Sequence, residues 1–349
     1  MEHMKLMKLI GVLAVSAVLL SGCAGAPTAL QQGGYPAWYL NPGQVFPDSR
    51  YLTAVGTGVD RAQAEQQALA GLSQIFEAQV TVDMVMQERY ADIVSASGRY
   101  SEEELELTQT TQVSSVQNLL NVQFGEAAVD SRGMIHIIGY IEREQTGRVY
   151  ADLIERNSNQ VRSLLREADF SRDPVDRFAY LSAASVVAQG NDMLVNQLRI
   201  ISPAQAGRLH LGYDLVQILQ LRSQQAEKLR VEIVLEEDHD NRVAGMIGQA
   251  FGREGFSVSS EQPLLRVTGN VDVSESSVTG NFETVRWTLV IRMDLADGTG
   301  IAHLDEQGRA SGISSEAARS LAYRDIKQVI DRQLAGQLQG WMDYRILGK

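Results

Sequence analysis

The chain has 349 residues, 44% of them hydrophobic and 21% charged, with 43 acidic against 31 basic side chains and a net charge of −12. That balance disfavours nucleic acid and anionic membrane surfaces as ligands, because both are bound through an excess of Lys and Arg. A single cysteine excludes an internal disulfide and a zinc-thiolate cluster, so stability must come from packed cores.

Lys5 and Lys8 precede an apolar run from Leu9 to Leu20, and the run ends in Leu20, Ser21, Gly22 and Cys23. A charged front, a short apolar core and a small-residue exit define an export signal, and the run falls short of the ~20 helical residues that span a bilayer. Residues 1–22 are therefore expected to be removed, and Cys23 to carry the lipid of a bacterial lipoprotein. The plainer alternative is an ordinary signal peptide that happens to hold a cysteine, or a buried N-terminal helix. Removal leaves 29 basic and 42 acidic side chains, a charge of −13. Each buried methylene of an acyl chain contributes about 0.8 kcal/mol, so two or more chains would anchor the protein stably in the membrane. Ala24, where Asp would favour retention at an inner membrane, points to the outer membrane and its periplasmic side. Residues 23–34, rich in Ala, Gly, Pro, Thr and Gln, suit a short tether.

From Tyr35 the sequence reads GYPAWYLNPGQ and then a strand at Tyr51 to Val55, broken by Gly56 and Gly58. Asp60 with Gln63 makes a helix start, and Ala64, Ala68, Leu72 and Ile75 recur at helical spacing. Val80, Val82 and Met84 alternate as a half-buried strand, Glu102 to Thr111 is a loop or short helix, and Val113 to Phe124 with Met134 to Ile141 form a hairpin about the turn Asp130 to Gly133. The first domain, 35–145, is thus a sheet backed by one main helix. Over 146–228 the period is helical: Val149, Leu153, Val161, Leu164, Leu165 and Ala168 share a face, Asp173-Pro174 starts a second helix, and Ser202-Pro203 a third through Leu211, Leu215, Ile218, Leu219 and Leu221. This segment reads as a helical connector. Over 229–349 strands return at Val231 to Leu235, Phe256 to Ser259, Leu265 to Val273, Arg286 to Leu295 and Ile301 to Ala310, with turns at Ser274 to Asn281 and Ala296 to Gly300. A helix from Arg242 to Arg253 and a last one capped by Ser314 or Ser315 complete the set. Together this predicts an α+β protein of two small two-layer α/β sandwich domains separated by a helical connector. Tyr51 to Phe76 and Gly308 to Ile330 share an order of strand, glycine, cap and Ala-rich helix, which reads as shared local grammar rather than duplication.

Pro36, Ala37 and Trp38, the segment Tyr51 to Gly58, and the helix alanines at 62, 64, 68 and 70 resemble the LPP-twenty bacterial lipoprotein family and the related N-terminal domain of FlgP and FlgT type flagellar proteins, over roughly Gly34 to Arg143. The resemblance implies an outer-membrane or periplasmic lipoprotein with an α/β sandwich and no catalytic activity. By element order alone, the C-terminal part is similar to small α/β domains of other envelope lipoproteins, such as the TolB N-terminal type.

The search for chemistry returns little. Gly56-Thr57-Gly58 lacks the third glycine and the Lys of phosphate-binding loops, so a tight turn is the reading. Among His136, His210, His239 and His303 none has a second His or Cys at ligand spacing, and the acidic run Glu236 to Asp240 lacks the spaced oxygens of a calcium loop. No nucleophile elbow or marked carboxylate pair occurs. No catalytic residue, metal or cofactor is therefore predicted. Tyr35, Trp38 and Tyr39 are the candidate partner-binding residues, against the plainer reading of a Trp packed under the first sheet. The expected role is that of a lipid-anchored, non-catalytic accessory that binds envelope proteins. A glycan-binding protein of the wall, or a flagellar or envelope assembly factor, is the alternative.

Overall fold

The computed structural model describes residues 35–77, 84–96, 119–279 and 282–348. Cys23, the export signal and the tether lie outside the described residues, as do Val80, Val82, Glu102 to Thr111 and the start of the expected strand at Val113. The chain is α+β and divides into two compact units: residues up to Leu72 with Val122–Ile141, and Ser73–Asn121 with Glu142 onward.

In the first unit a strand feeds a helix as expected, β1 (Tyr51–Gly58) into α3 (Arg61–Glu77), but Gly56-Thr57-Gly58 is not the expected turn: it continues the strand, and its glycines serve the close approach of the α3 backbone. Asp60 Oδ1 accepts the Gln63 N–H at 2.8 Å, which satisfies a free donor of the first helical turn, and Gln63 Oε1 reaches back to accept the N–H of Val59, just before the cap, at 2.8 Å. β1 lies beside β4 (Ile135–Glu142), whose other edge takes β2 (Gln123–Phe124) and β3 (Ala128–Val129). The expected hairpin forms, with Gln123 opposite Tyr140 and Ala128 opposite His136. Within the described part of its first arm, strand begins only at Gln123, because Asn121 takes a left-handed φ of 56° and turns the backbone just before β2. An almost uninterrupted apolar run in β4 signals burial on both faces. α3 covers one of them with Ala64 and Ala68 against Ile137, all 0% exposed. The approach is very close: a Cβ on Gly56 would stand 1.9 Å from the Ala64 carbonyl oxygen.

Among the described residues the second unit has four main helices ahead of its sheet: α4 (Met84–Ala96), α5 (Arg143–Phe170), α6 (Pro174–Ile201) and, after the four-residue α7 (Pro203–Ala206), α8 (Leu215–Ala226). Met84 opens a helix and is not part of a strand. Met86, Tyr90, Ile93 and Val94 recur at helical spacing and pack with Val161, Ala184 and Val187, a pattern that three alternating residues did not reveal. Asp173 caps α6, its carboxylate accepting the Val175 and Asp176 N–H groups at 2.7 and 3.2 Å. Ser202-Pro203 starts only α7. The long third helix begins at the Asp214 cap, beyond Gly212, whose φ of 70° leaves Leu211 outside any helix. On α5, Val149 is 42% exposed, because Tyr150 takes the inward position at 0%. Asn191 joins these helices as a buried donor to the Ile154 carbonyl, Ser158 Oγ and Tyr213 Oη.

These helices are not a free-standing connector. Val175, Phe178 and Ala179 of α6 share one hydrophobic core with the C-terminal sheet, whose strands run in the order β6, β5, β7, β8, β9. They are β5 (Arg230–Glu236), β6 (Ser257–Val258), β7 (Leu265–Thr279), β8 (Phe282–Leu295) and β9 (Gly300–Gly312). β7 and β8 extend further than expected, so the segment from Ser274 to Thr279 is strand paired with β8, and a bulge between Glu275 and Ser277 shifts the register there. Helices α9 (Arg242–Arg253), α10 (Ser315–Val329) and α11 (Ala335–Leu347) cover one face, where Val267, Leu289 and Met293 are 0% exposed. The expected single last helix is split by a π-helical turn, Ile330–Leu334. Ile326, Ile330, Leu334, Leu338 and Met342 repeat every fourth residue, which overshoots a 3.6-residue turn, and one wider turn takes up the drift.

Candidate functional site

The three aromatic residues singled out in the sequence lie together at the start of the first unit. Tyr35 precedes α1 (Ala37–Leu40), which holds Trp38 and Tyr39, and α2 (Pro42–Val45) follows. Tyr35 and Tyr39 stack with ring centroids 4.4 Å apart and 17° between planes, and Trp38 meets Tyr39 edge-on at 6.3 Å. Both tyrosines press on His136 of β4, at 5.3 and 4.5 Å. A second group follows: Phe46 packs on Tyr51 of β1 and Tyr140 of β4, at 5.3 and 5.0 Å. Residues 35–46 thus form an aromatic strap over the face of the first sheet that α3 leaves open.

Beneath the strap lies a polar chain. His136 is 2% exposed; its Nδ1 is 2.9 Å from Thr57 Oγ1, and its Nε2 faces Asp130 Oδ2 at 3.4 Å, an electrostatic contact short of a formed hydrogen bond. Arg132 closes the chain by donating to Asp130 Oδ2 at 3.2 Å and to the Tyr35 hydroxyl at 3.3 Å. Burial pushes the Asp130 carboxyl up. The Met134 and Arg132 N–H groups, His136 and the Arg132 guanidinium outweigh it and hold the group down at about 2. Asp130 is therefore an anion at neutral pH, and a firm acceptor.

A hydroxyl, an imidazole and a carboxylate in series also occur in acyl-transfer triads, which need the imidazole and hydroxyl open to substrate and donors set for an oxyanion. Here the rings of Tyr35 and Tyr39 lie on the imidazole, and the chain links β1, β4, the hairpin turn and the strap. Sequence reasoning placed Asp130 and Arg132 in the hairpin turn and Thr57 between two glycines, and linked none of them to His136. One signal was available: His136 is the single polar side chain in the run from Met134 to Ile141. Tyr35 is 36% exposed and Trp38 and Tyr39 are half-buried, so much of each ring is used against the sheet or its neighbour. The strap's outward apolar side chains are Leu40 and Val45, 70% and 48% exposed.

Elsewhere, a cavity of about 360 Å³ is lined by Arg156, Asn159, Ser163 and Arg166, all on α5. Among the described residues no group of three His, Cys, Asp or Glu gathers to hold a metal, and no helix is long and apolar enough to cross a membrane.

No family model matches the chain, and no curated protein matches its sequence. Solved structures do align with it. A secreted protein from the human pathogen Helicobacter pylori aligns at 16% identity over 83% of this chain and 97% of its own, with a TM-score of 0.42. A minor lipoprotein from Acinetobacter baumannii aligns at 13% identity over 33% of this chain and 91% of its own, TM-score 0.24. A putative lipoprotein from Caulobacter crescentus aligns at 14% identity over 34% and 90%, TM-score 0.22. Likeness at this level assigns neither a family nor an activity to the chain.

Proposed function

We propose that the protein is a lipid-anchored lipoprotein of the cell envelope, acylated at Cys23, facing the periplasm from the outer membrane, with a non-catalytic role in binding envelope proteins. The observation that carries the reading is the export signal that ends at Cys23, the chain's only cysteine. The strap supports it from the other side. Some twelve residues after the lipidation position the chain lies down on the first sheet, held by Tyr35, Tyr39 and Phe46, so that tension on the tether is received by a stacked aromatic layer.

Mass spectrometry of the mature N-terminus tests the anchor. Acylated Cys23 is expected, and a free thiol or an uncut N-terminus defeats the reading. Crosslinking in intact envelopes tests the role, with Leu40 and Val45 as the positions to carry the crosslinker. Specific protein adducts are expected. Saturable binding to purified peptidoglycan with no protein adduct would favour the glycan-binding alternative instead. That alternative is disfavoured because a sugar platform needs open ring faces, and Tyr39 spends its ring on His136. A flagellar version of the role predicts lost swimming on gene deletion, and normal swimming removes it.

A further inference from the structure

The edge strand β9 is the feature that the proposed function leaves unused. It is the outer strand of the five-stranded sheet, thirteen residues long, and among the described residues no strand lies on its far side, whereas the opposite edge, β6, is two residues long. Long open edges are normally shortened, bulged or covered, because a row of free N–H and C=O groups is a template for another strand. β9 is regular from Ala302 to Gly312, and its only register shift against β8 falls at the Gly300 end.

Its charges are also unresolved. On the sheet face away from the helices, Arg309 stands directly opposite Arg286 of β8, and Asp305 stands opposite Val290. Like charges directly across strands are destabilising. Neither Arg309 nor Asp305 has an ion-pair partner among the described residues. Just past the strand, Ile313 is 82% exposed.

We propose that β9 pairs antiparallel with β9 of a second copy of this chain, in register about Gln307, to give one continuous sheet across a two-fold axis. That register sets each Asp305 opposite the other copy's Arg309, twice by symmetry, and so supplies the missing counter-charge on both sides. It also sets Leu304 opposite Ala310 on the helix-covered face, and the exposed Ile313 opposite Ile301. A shift by one residue in either direction would move side chains to the wrong face, and a shift by two about the axis loses the Asp–Arg match. The strand is thus complementary to itself in one alignment.

The test uses the full chain in detergent. Sedimentation should show a dimer; D305R and R309D should each raise its dissociation constant by about tenfold or more, since facing like charges oppose association, and the double variant D305R/R309D should restore it. Gln307→Cys, at the axis, should form an oxidised dimer beyond any given by the parent, whose only cysteine is Cys23, while Ser311→Cys should not. The four positions are on or beside the solvent face, so circular dichroism should be unchanged. A monomer at all concentrations with no Gln307→Cys crosslink overturns the proposal, as does a dimer indifferent to both single reversals or a double variant no better than either.

Discussion

The two sheets are built alike on one face and differently on the other. Each has a strand that ends in a glycine, a cap two residues later and an Ala-rich helix that folds back: Gly58, Asp60 and Ala64 in the first, Gly312, Ser314 and Ala318 in the second. Even the contact repeats, since a Cβ on Gly58 would stand 2.6 Å from the Ala64 nitrogen and one on Gly312 would stand 2.5 Å from the Ala318 nitrogen. On the second face they part. The first sheet is covered by the aromatic strap, with His136 buried beneath it, whereas the second presents Arg266, Arg286, Val290, Arg292 and Arg309 to solvent. The helix-side junction is therefore a common solution for closing a sheet, and what each sheet is free to do is decided by its other face.

The strongest way to break the common half is to fill its closest approach. Gly56→Ala should destabilise the first unit by about 3 kcal/mol, because the added methyl meets the Ala64 carbonyl in backbone that cannot step aside. Gly312→Ala should cost less, roughly 1–2 kcal/mol, since its nearest atoms are 2.5 Å and further away. Denaturant unfolding of the full chain, followed by a probe in each unit, should show that each loss belongs to its own unit. Equal losses would mean that the two junctions do not differ in closeness.

The differing half is broken by His136→Ala. It removes a buried ring and leaves Thr57 and Asp130 without their link, for a loss of roughly 2–3 kcal/mol. Strap release should follow, seen as red-shifted emission from Trp38 and faster proteolysis near Leu40. The matched change on the second sheet, Arg292→Ala, should do almost nothing. Asp130 adds a pH dependence. Its folded value, about 2, lies below that of a free carboxylate, so the unfolded chain takes up the proton first. Its stabilisation is complete above about pH 4 and is lost as pH falls toward 2. Asp130→Asn should abolish that acid limb in strap proteolysis, and an unchanged acid limb would show that another group controls it.

Most of the second unit was legible because its sheet alternates. In β8 the side chains Trp287, Leu289, Ile291 and Met293 point inward and Arg286, Thr288 and Arg292 outward, a period that only a half-buried strand gives. β4 hinted at two covered faces through its unbroken apolar run, yet nothing local says what covers the second face. The strap comes from residues far away in the chain, with no helical or strand period of their own. The helical segment was legible helix by helix, through Asp173 and the inward Val161 and Leu164. Its membership of the C-terminal core was not, since Val175, Phe178 and Ala179 look like any helix face until Phe256 is seen against them, with Phe178 at 5.0 Å from its ring.

The caps offer the finest comparison. Asp60→Ala and Ser314→Ala each remove one acceptor from the first turn of a helix that closes a sheet, and each should cost about 1 kcal/mol. Asp60 should matter slightly more, because its bond to the Gln63 N–H is 2.8 Å against 3.2 Å for Ser314 to the Ala317 N–H, and because a carboxylate is the stronger acceptor beside a helix N-terminus. Salt separates the two contributions: raising ionic strength screens the charge at Asp60 and leaves the neutral hydroxyl at Ser314 untouched. The difference between the two variants should therefore shrink in salt. A gap that stays constant would assign it to bond length alone.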